Sequence, residues 1–494
     1  MQHLDFDFLT YLNQVHTATD LYDTDIGVIP PVFQARPLTP DDIIHLHHPH
    51  SPSNGRPGYL TSPIRFPQNT FPTNLLSHIF SYLDPTDDDD ADTFAACAQT
   101  CKQWTIPAER RLYQSIVAHD ERSLFLLWDK LDGSADLSQH VREIKLKDSN
   151  RTGRVANFAL HPRSERLPSW FLASPATLAP LAHNTSVLKI ENINWRAFWL
   201  RNDLATTQWL SQWLLFPPLQ ELSLTSCSFT SFSEFELVMT AFSRIRKLSM
   251  EYVSWGEHPI AMAEALRAVS RRQSIALNGI HVGFGCDIHT ITMWLLGTSS
   301  MSTLESIEFD AGHEASPEIL APFLSQTRRT TRYLRIGCAG MMHSLGPTLS
   351  IHISFHAWPL LRTFHLTLLG LAPERVNWVP ICLARALPDI PRPSSLCPTK
   401  LCMPAVACAT CRTQFCAIKT IVFDIWLSDP SELENPVWDH ITLILHRLVA
   451  GGRGVERIVF AQRGALSLLE TDYVVKRRLG SLHPFVETRS EWVQ

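Results

Sequence analysis

Charge is the first thing this chain of 494 residues is short of. Asp, Glu, Lys and Arg make up 18% of it, against roughly 25% in ordinary soluble domains. They nearly cancel, leaving a net charge of -5. The basic balance or stripe of a nucleic-acid binder is missing, so neither nucleic acid nor a membrane is an expected partner. A secretory leader is missing as well: Met1, Gln2, His3, Leu4, Asp5, Phe6 and Asp7 are acidic overall and offer no basic region ahead of an apolar run. The longest charge-free stretch, Gly337 to Leu361, is interrupted by Gly346, Pro347 and Pro359. It falls short of the roughly 20 predominantly apolar residues that cross a bilayer.

Cysteines do not read as a disulfide framework either. There are eleven, an odd number, and five crowd between Cys397 and Cys416. Without an export signal, reduced thiols in the cytoplasm and/or the nucleus are expected, and the sequons at Asn150 and Asn184 are chance matches. Catalytic signatures are absent. Gly451-Gly452-Arg453-Gly454 precedes a strand pattern and lacks the Gly-Lys-Ser/Thr of a phosphate loop; there is no Gly-x-Ser-x-Gly and no His-Glu-x-x-His. The chain is therefore expected to be no enzyme and to carry no cofactor, although scattered Ser, His and Asp residues can still meet in space.

What is present divides the chain. Residues 1–70 are rich in proline, from Pro30 to Pro67, with a Ser-Pro-Ser-Asn-Gly-Arg-Pro-Gly stretch at 51–58. Such a segment cannot bury enough surface to offset its ordering entropy and reads as mostly disordered. His45, His47, His48 and His50 fall in it and read as a solvated linker rather than a metal site. Residues 71–116 change character. Leu75, Leu76, Ile79, Phe80 and Leu83 recur at helical spacing. Pro72 forbids an earlier start, and Asp84-Pro85 ends the helix. A second helix is expected from about Asp92 to Lys102, behind the acidic run Asp87–Asp90, where a helix dipole favours negative charge. A third, opened by Pro107, carries Ala108, Leu112 and Ile116.

This segment resembles the F-box: Phe71-Pro72, then Leu75-Leu76, Ile79-Phe80 and Tyr82-Leu83-Asp84, a polar gap, and Cys97, Cys101 and Trp104. Downstream, Glu109-Arg110-Arg111-Leu112-Tyr113 resembles the segment just past the F-box in many fungal proteins. The acidic run lengthens the usual gap. The resemblance implies that Phe71, Pro72, Leu75, Leu76, Ile79, Phe80, Leu83 and Trp104 contact or support a Skp-type adaptor and, through it, a cullin. A generic three-helix bundle is the competing reading. Three helices in so short a segment are too few for an independent core, so a partner that completes it makes physical sense.

The remainder, 117–494, repeats an apolar-x-x-apolar-x-apolar strand starting at Val141, Leu219, Ile245, Leu304, Thr331, Leu361, Ile418 and Val455. Val187 starts a weaker member and Ile275 a weaker one still. Helical patterns such as Phe235–Phe242, Ala261–Val269 and Pro317–Leu324 lie between. The fold class expected is α/β: a small N-terminal helical module followed by an irregular, leucine-rich-repeat-like αβ solenoid, in which each unit buries its apolar face only against its neighbours. A plain α/β domain with a parallel sheet competes. Cys227 and Cys338 look like remnants of the consensus position after the strand. Residues 388–416, rich in Pro and Cys, read as an insertion between repeats. Within it Cys408-x-x-Cys411 has knuckle spacing, and two of Cys397, Cys402 and Cys416 would complete four zinc ligands; an ordinary loop is the alternative. Trp195, Trp199, Trp209 and Trp213 read as core. The expected function is target recognition for a ubiquitin ligase, with the repeats binding an unidentified protein; the rival is a repeat scaffold uncoupled from ubiquitination.

Overall fold

The computed structural model describes residues 73–83, 88–100, 102–148, 169–195, 209, 211–213, 216, 219–256, 275–310, 317–337, 358–368, 378–384, 418–450 and 455–490. Phe71, Pro72, the segment 1–70 and the five cysteines of 388–416 lie outside them, as do Trp199 and Cys338. The chain divides into two units, Met1–Tyr82 and Leu83–Gln494.

The described part of the first unit is one helix, α1 (Thr73–Phe80). The second unit opens with α2 (Asp88–Thr100) and α3 (Lys102–Leu112), which pack on each other. Thr105 Oγ1 donates to the Ala98 carbonyl at 2.7 Å across their junction. Both helices differ from expectation. α2 starts at Asp88, four residues earlier than expected, so part of the acidic run lies within the helix rather than ahead of it. Pro107 sits inside α3 rather than opening it, so the helix gives up one i→i−4 hydrogen bond while keeping its packing against α2. Ile116 is not helical at all. It lies in the first strand, β1 (Ser115–Ala118), which starts shortly after the end of α3.

From β1 the chain builds one sheet, whose order follows chain order. Its members are β1, β2 (Glu143–Lys147), β3 (Val187–Glu191), β4 (Glu221–Thr225), β6 (Lys247–Glu251), β8 (Gly279–Val282), β9 (Ser306–Asp310), β10 (Tyr333–Gly337), β11 (Thr363–Leu368), β12 (Thr420–Ile425), β13 (Arg457–Gln462) and β14 (Val486–Ser490). Each neighbouring pair is parallel. The short β5 (Ser228–Phe229) and β7 (Ser254–Trp255) form a separate pair. Helices occupy the returns: α4 (Glu121–Asp132), α5 (Ala135–Ser138), α6 (Ser169–Leu178), α7 (Phe232–Ala241), α8 (Ile288–Leu296), α9 (Pro317–Thr327), α10 (Val379–Ala384), α11 (Val437–Ala450) and α12 (Leu468–Leu479). Among the described residues no helix is long and apolar enough to cross a membrane.

The repeated sequence pattern explains the sheet. Strands alternate faces every residue, so the fourth and sixth positions of each motif point the same way. In register they make a row: Ile116, Ile144, Leu188, Leu222, Leu248, Ile280, Ile307, Leu334, Phe364, Ile421, Ile458 and Val486, all buried. Each such side chain contributes about 1.5–3 kcal/mol on burial, and each needs its neighbours on both sides to be buried. The Ile275 motif is misplaced by two residues: the unit is Leu277-x-x-Ile280-x-Val282, which gives β8. β11 and β12 are adjacent although their register partners Thr363 and Thr420 are 57 positions apart (420 − 363).

A left-handed residue comes after each of three successive strands, at Asn192 (φ 61°), Ser226 (φ 53°) and Tyr252 (φ 52°). Each turns the chain while its N–H donates to the next unit: Asn192 to Thr225, Ser226 to Glu251 and Tyr252 to Phe284, at 2.6–2.9 Å. Cys227, next to one of these turns, is buried; its thiol donates to the Ile190 and Thr225 carbonyls and burial pushes its pKa up to about 12. Trp195, Trp209 and Trp213 are core, as expected. They interlock with Phe171, Phe216 and Phe229 in edge-on and stacked contacts of 4.7–5.7 Å. At the other end of the sheet, Gly464 lies against the Leu427 backbone so closely that a Cβ there would overlap the Leu427 carbonyl. Gly464→Ala is expected to lower the melting temperature by several degrees, since backbone on both sides must move; an unchanged melt would refute the contact.

Candidate functional site

Two features stand out from the scaffold. The first is the helical segment α1 to α3. In α1, Leu76 and Phe80, one turn apart, are buried, whereas Leu75 and Ile79, also one turn apart, are each 42% exposed. Tyr82 just beyond is exposed too. An apolar stripe therefore splits into an inward and an outward face. Leu83 is half-buried and its carbonyl accepts from Arg111 Nη2 at 3.4 Å; Trp104 is half-buried in α3. The eight residues expected to serve the adaptor thus separate. Leu76 and Phe80 are buried, Leu75 and Ile79 are exposed, Leu83 and Trp104 are intermediate, and Phe71 and Pro72 lie outside the described residues. α3 runs directly into the sheet. The Gln114 carbonyl accepts from the N–H groups of Arg142 and Glu143 at 2.9 and 3.0 Å, and the Gln114 side chain accepts from Arg111.

The second feature is the polar face of the sheet, which apolar periodicity does not foretell. On β2 and β3 it is laced by Lys145–Glu191 and Lys189–Glu143 pairs, both at 2.9 Å. On β4 and β6 a Lys247–Glu221 pair at 3.8 Å follows, and on the same face Ser223 and Ser249 are register partners. Next comes a relay across three strands. Ser249 Oγ and His281 Nδ1 are 3.0 Å apart, and His281 Nε2 and Asp310 Oδ2 are 3.2 Å apart. The Asp310 carboxylate is held ionised. Burial opposes its charge, but the His281 hydrogen bond and the Arg335 guanidinium overcome this and bring the pKa below the ordinary carboxylate value.

Beyond Asp310 the network continues. Arg335 Nη2 stands 3.6 Å from Asp310 and 3.7 Å from Asp424, and its Nε donates to Thr367 Oγ1 at 3.1 Å. Desolvation works against the Arg335 charge, but Asp310, Glu308 and Asp424 outweigh it and raise its pKa. Asp424 is fully buried and accepts from Arg463 Nη2 at 2.7 Å. His365, 4% exposed, is hydrogen-bonded through Nδ1 to Tyr333 at 2.8 Å. Burial first, then Arg335 and Arg489, depress its pKa to about 3, so it is neutral at physiological pH. Periodicity cannot reveal this network, because polar positions on a strand face look alike until register decides which ones meet. The single available signal is composition: His281, Asp310, Arg335, His365 and Asp424 all occupy strand positions on the face opposite the apolar row.

Apart from both features, Glu236 in α7 is a buried carboxylic acid whose pKa burial raises to about 7. A raised folded pKa stabilises below the unfolded value near 4.5, and that stability is lost as pH rises through 7. Glu236→Gln is therefore expected to stabilise the fold by about 2 kcal/mol at pH 8 and to change little at pH 4. Denaturant melts at the two pH values check this, and equal effects at both would refute it.

Among the described residues no group of three or more His, Cys, Asp or Glu side chains is placed to hold a metal ion. Helices leading without a linker into a parallel, chain-ordered α/β sheet define the class of architecture. Within it, residues 69–119 match the F-box-like family model. The match runs from just ahead of α1 through β1, so it includes the first strand of the sheet. No curated protein matches the chain.

Proposed function

We propose that the chain is the target-recognition adaptor of a Skp–cullin–F-box ubiquitin ligase. The observation that carries this reading is the F-box-like match at 69–119; F-box domains generally bind Skp-type adaptors and are typically non-catalytic. In this reading 71–116 dock on the adaptor. Residues 117–494 form a leucine-rich-repeat-like solenoid, interrupted at 388–416, that holds a target protein. The adaptor joins the chain to a cullin, and the site of action is the cytoplasm and/or nucleus. The chemistry belongs to the ubiquitin-conjugating enzyme. The chain raises the effective concentration of target lysines near it.

The absence of a flexible connection between α3 and β1 supports this division of labour. Flexible linkers spread their ends over a broad distribution of distances. Here Gln114 ties the end of α3 to β2 through two backbone hydrogen bonds, so the sheet is held in a set position on the helix that precedes it. The test is co-purification of the full chain with a recombinant Skp-type adaptor and cullin. A stable stoichiometric complex is expected; its absence, with the chain folded, would leave the repeat-scaffold reading in its place.

A further inference from the structure

We propose that Ser249 is a nucleophilic serine that takes activated acyl or phosphonyl groups, with His281 as its base and Asp310 as the residue that orients the base. This goes beyond target binding and does not depend on it. Three observations combine. Ser249 Oγ lies 3.0 Å from His281 Nδ1, and the other ring nitrogen lies 3.2 Å from a carboxylate oxygen of Asp310. Asp310 is itself fixed, by Arg335 at 3.6 Å and by lying over Gly337, where any Cβ would collide with its Oδ1. Ser249 and the His281 ring are only partly buried, the ring 28% exposed, so a reagent can reach them. A hydroxyl hydrogen-bonded to a base that is oriented by a third group is the arrangement that activates a serine.

The ring is used in the reverse of the familiar protease order, in which Nε2 faces the serine. Imidazole relays a proton through either nitrogen. The tautomer with its proton on Nε2 donates to Asp310 and leaves Nδ1 to accept from Ser249. With a fluorophosphonate, the Ser249 Oγ–P bond forms as the P–F bond breaks. Fluoride leaves with the bonding electrons, and the serine proton passes to His281 Nδ1 and then to water. With p-nitrophenyl acetate, an Oγ–acyl bond forms and nitrophenolate leaves.

The surroundings decide how far the reaction goes. β6 is paired on both edges, to β4 and β8, so its backbone N–H groups are committed to the sheet and cannot form the pair of donors that stabilises an oxyanion. Losing one such donor costs about 10²–10³ in rate elsewhere. The register partner of Ser249 on β4 is Ser223, which brings no backbone donor pair in its place. Ser249 should therefore be acylated once and deacylate slowly.

The experiment incubates the full chain with a biotinylated fluorophosphonate and maps the adduct by peptide mass spectrometry. One label per chain is expected, on Ser249, absent in Ser249→Ala. Labelling should slow at least about 100-fold in His281→Gln, the low end of the contribution of a positioned base, and less severely in Asp310→Asn. The pH dependence of the wild-type rate should be lost in His281→Gln. p-Nitrophenyl acetate should release about one equivalent of nitrophenolate in a burst. Melting curves establish that each variant is folded. No adduct on folded wild type, an adduct elsewhere, or a rate and pH profile unchanged in folded His281→Gln would each overturn the proposal.

Discussion

Replacing Leu75 and Ile79 together by aspartate is expected to abolish capture of a Skp-type adaptor while leaving the melting temperature within a few degrees of wild type. The two side chains are each 42% exposed and sit one turn apart on α1, so they form one small apolar face. If that face is buried by the adaptor, each aspartate exchanges a favourable apolar contact for an unpaired, desolvated carboxylate. Central interface residues cost about 2 kcal/mol or more on truncation, and a buried charge adds to that. The pair should therefore lose at least about 100-fold in affinity, read by co-purification or calorimetry. The choice of residues matters. Leu76 and Phe80 belong to the same sequence stripe but are buried in the chain itself. Leu76→Asp would put a charge into the protein's own interior, and any lost binding would then report unfolding. Binding by folded Leu75→Asp, Ile79→Asp equal to wild type would rule out α1 as the docking face.

Acidification is expected to destabilise the folded chain well above the pH at which carboxylates titrate, with His365 as the cause. An unfolded histidine takes up a proton near pH 6.5, whereas burial and the Arg335 and Arg489 charges hold the folded His365 neutral to about pH 3. Between those limits the unfolded state binds more protons than the folded state, so stability falls as pH falls. The contribution is fully present above pH 6.5 and is lost progressively down to pH 3. It amounts to a few kcal/mol, at about 1.4 kcal/mol for each tenfold difference in proton affinity between the folded and unfolded states. Asp310, whose pKa is lowered, adds a loss in the same direction, but below its unfolded value of 3.8. The windows differ, so His365→Asn should flatten the melting profile between about pH 6.5 and 4 and leave the steeper fall below. A wild-type profile flat from about pH 7 to 4, or an unchanged slope in the variant, would refute the assignment. Glu236 acts in the opposite sense, so the two substitutions move the optimum in opposite directions.

Much of the architecture is written in the spacing of leucines and isoleucines. The motifs at Val141, Leu219, Ile245, Leu304, Thr331, Leu361, Ile418 and Val455 all form strands that start two residues in from their first apolar position. This works because a period of two inside a recurring unit is a local property, and stacking demands the same local answer in every unit. The weakest motif, at Ile275, misleads because its true start, Leu277, is followed by Asn278 and Gly279, which look like a turn. β1 escapes the pattern because Ile116 continues the apolar spacing of α3, and only pairing with β2 makes it a strand. β14 carries a single buried apolar residue, Val486, too little to show a pattern.

Sequence alone determined the alternation of strand and helix, the inward row of the sheet and the apolar stripe of α1. Each of these is a periodicity, and periodicity survives in one dimension. Tertiary structure decided which half of the α1 stripe faces outward, because burial depends on the groups packed against it. It also decided that Ser249, His281 and Asp310 meet. They stand 32 and 29 positions apart, and only the parallel register, set by the apolar residues on the other side of the sheet, brings their polar faces into one line.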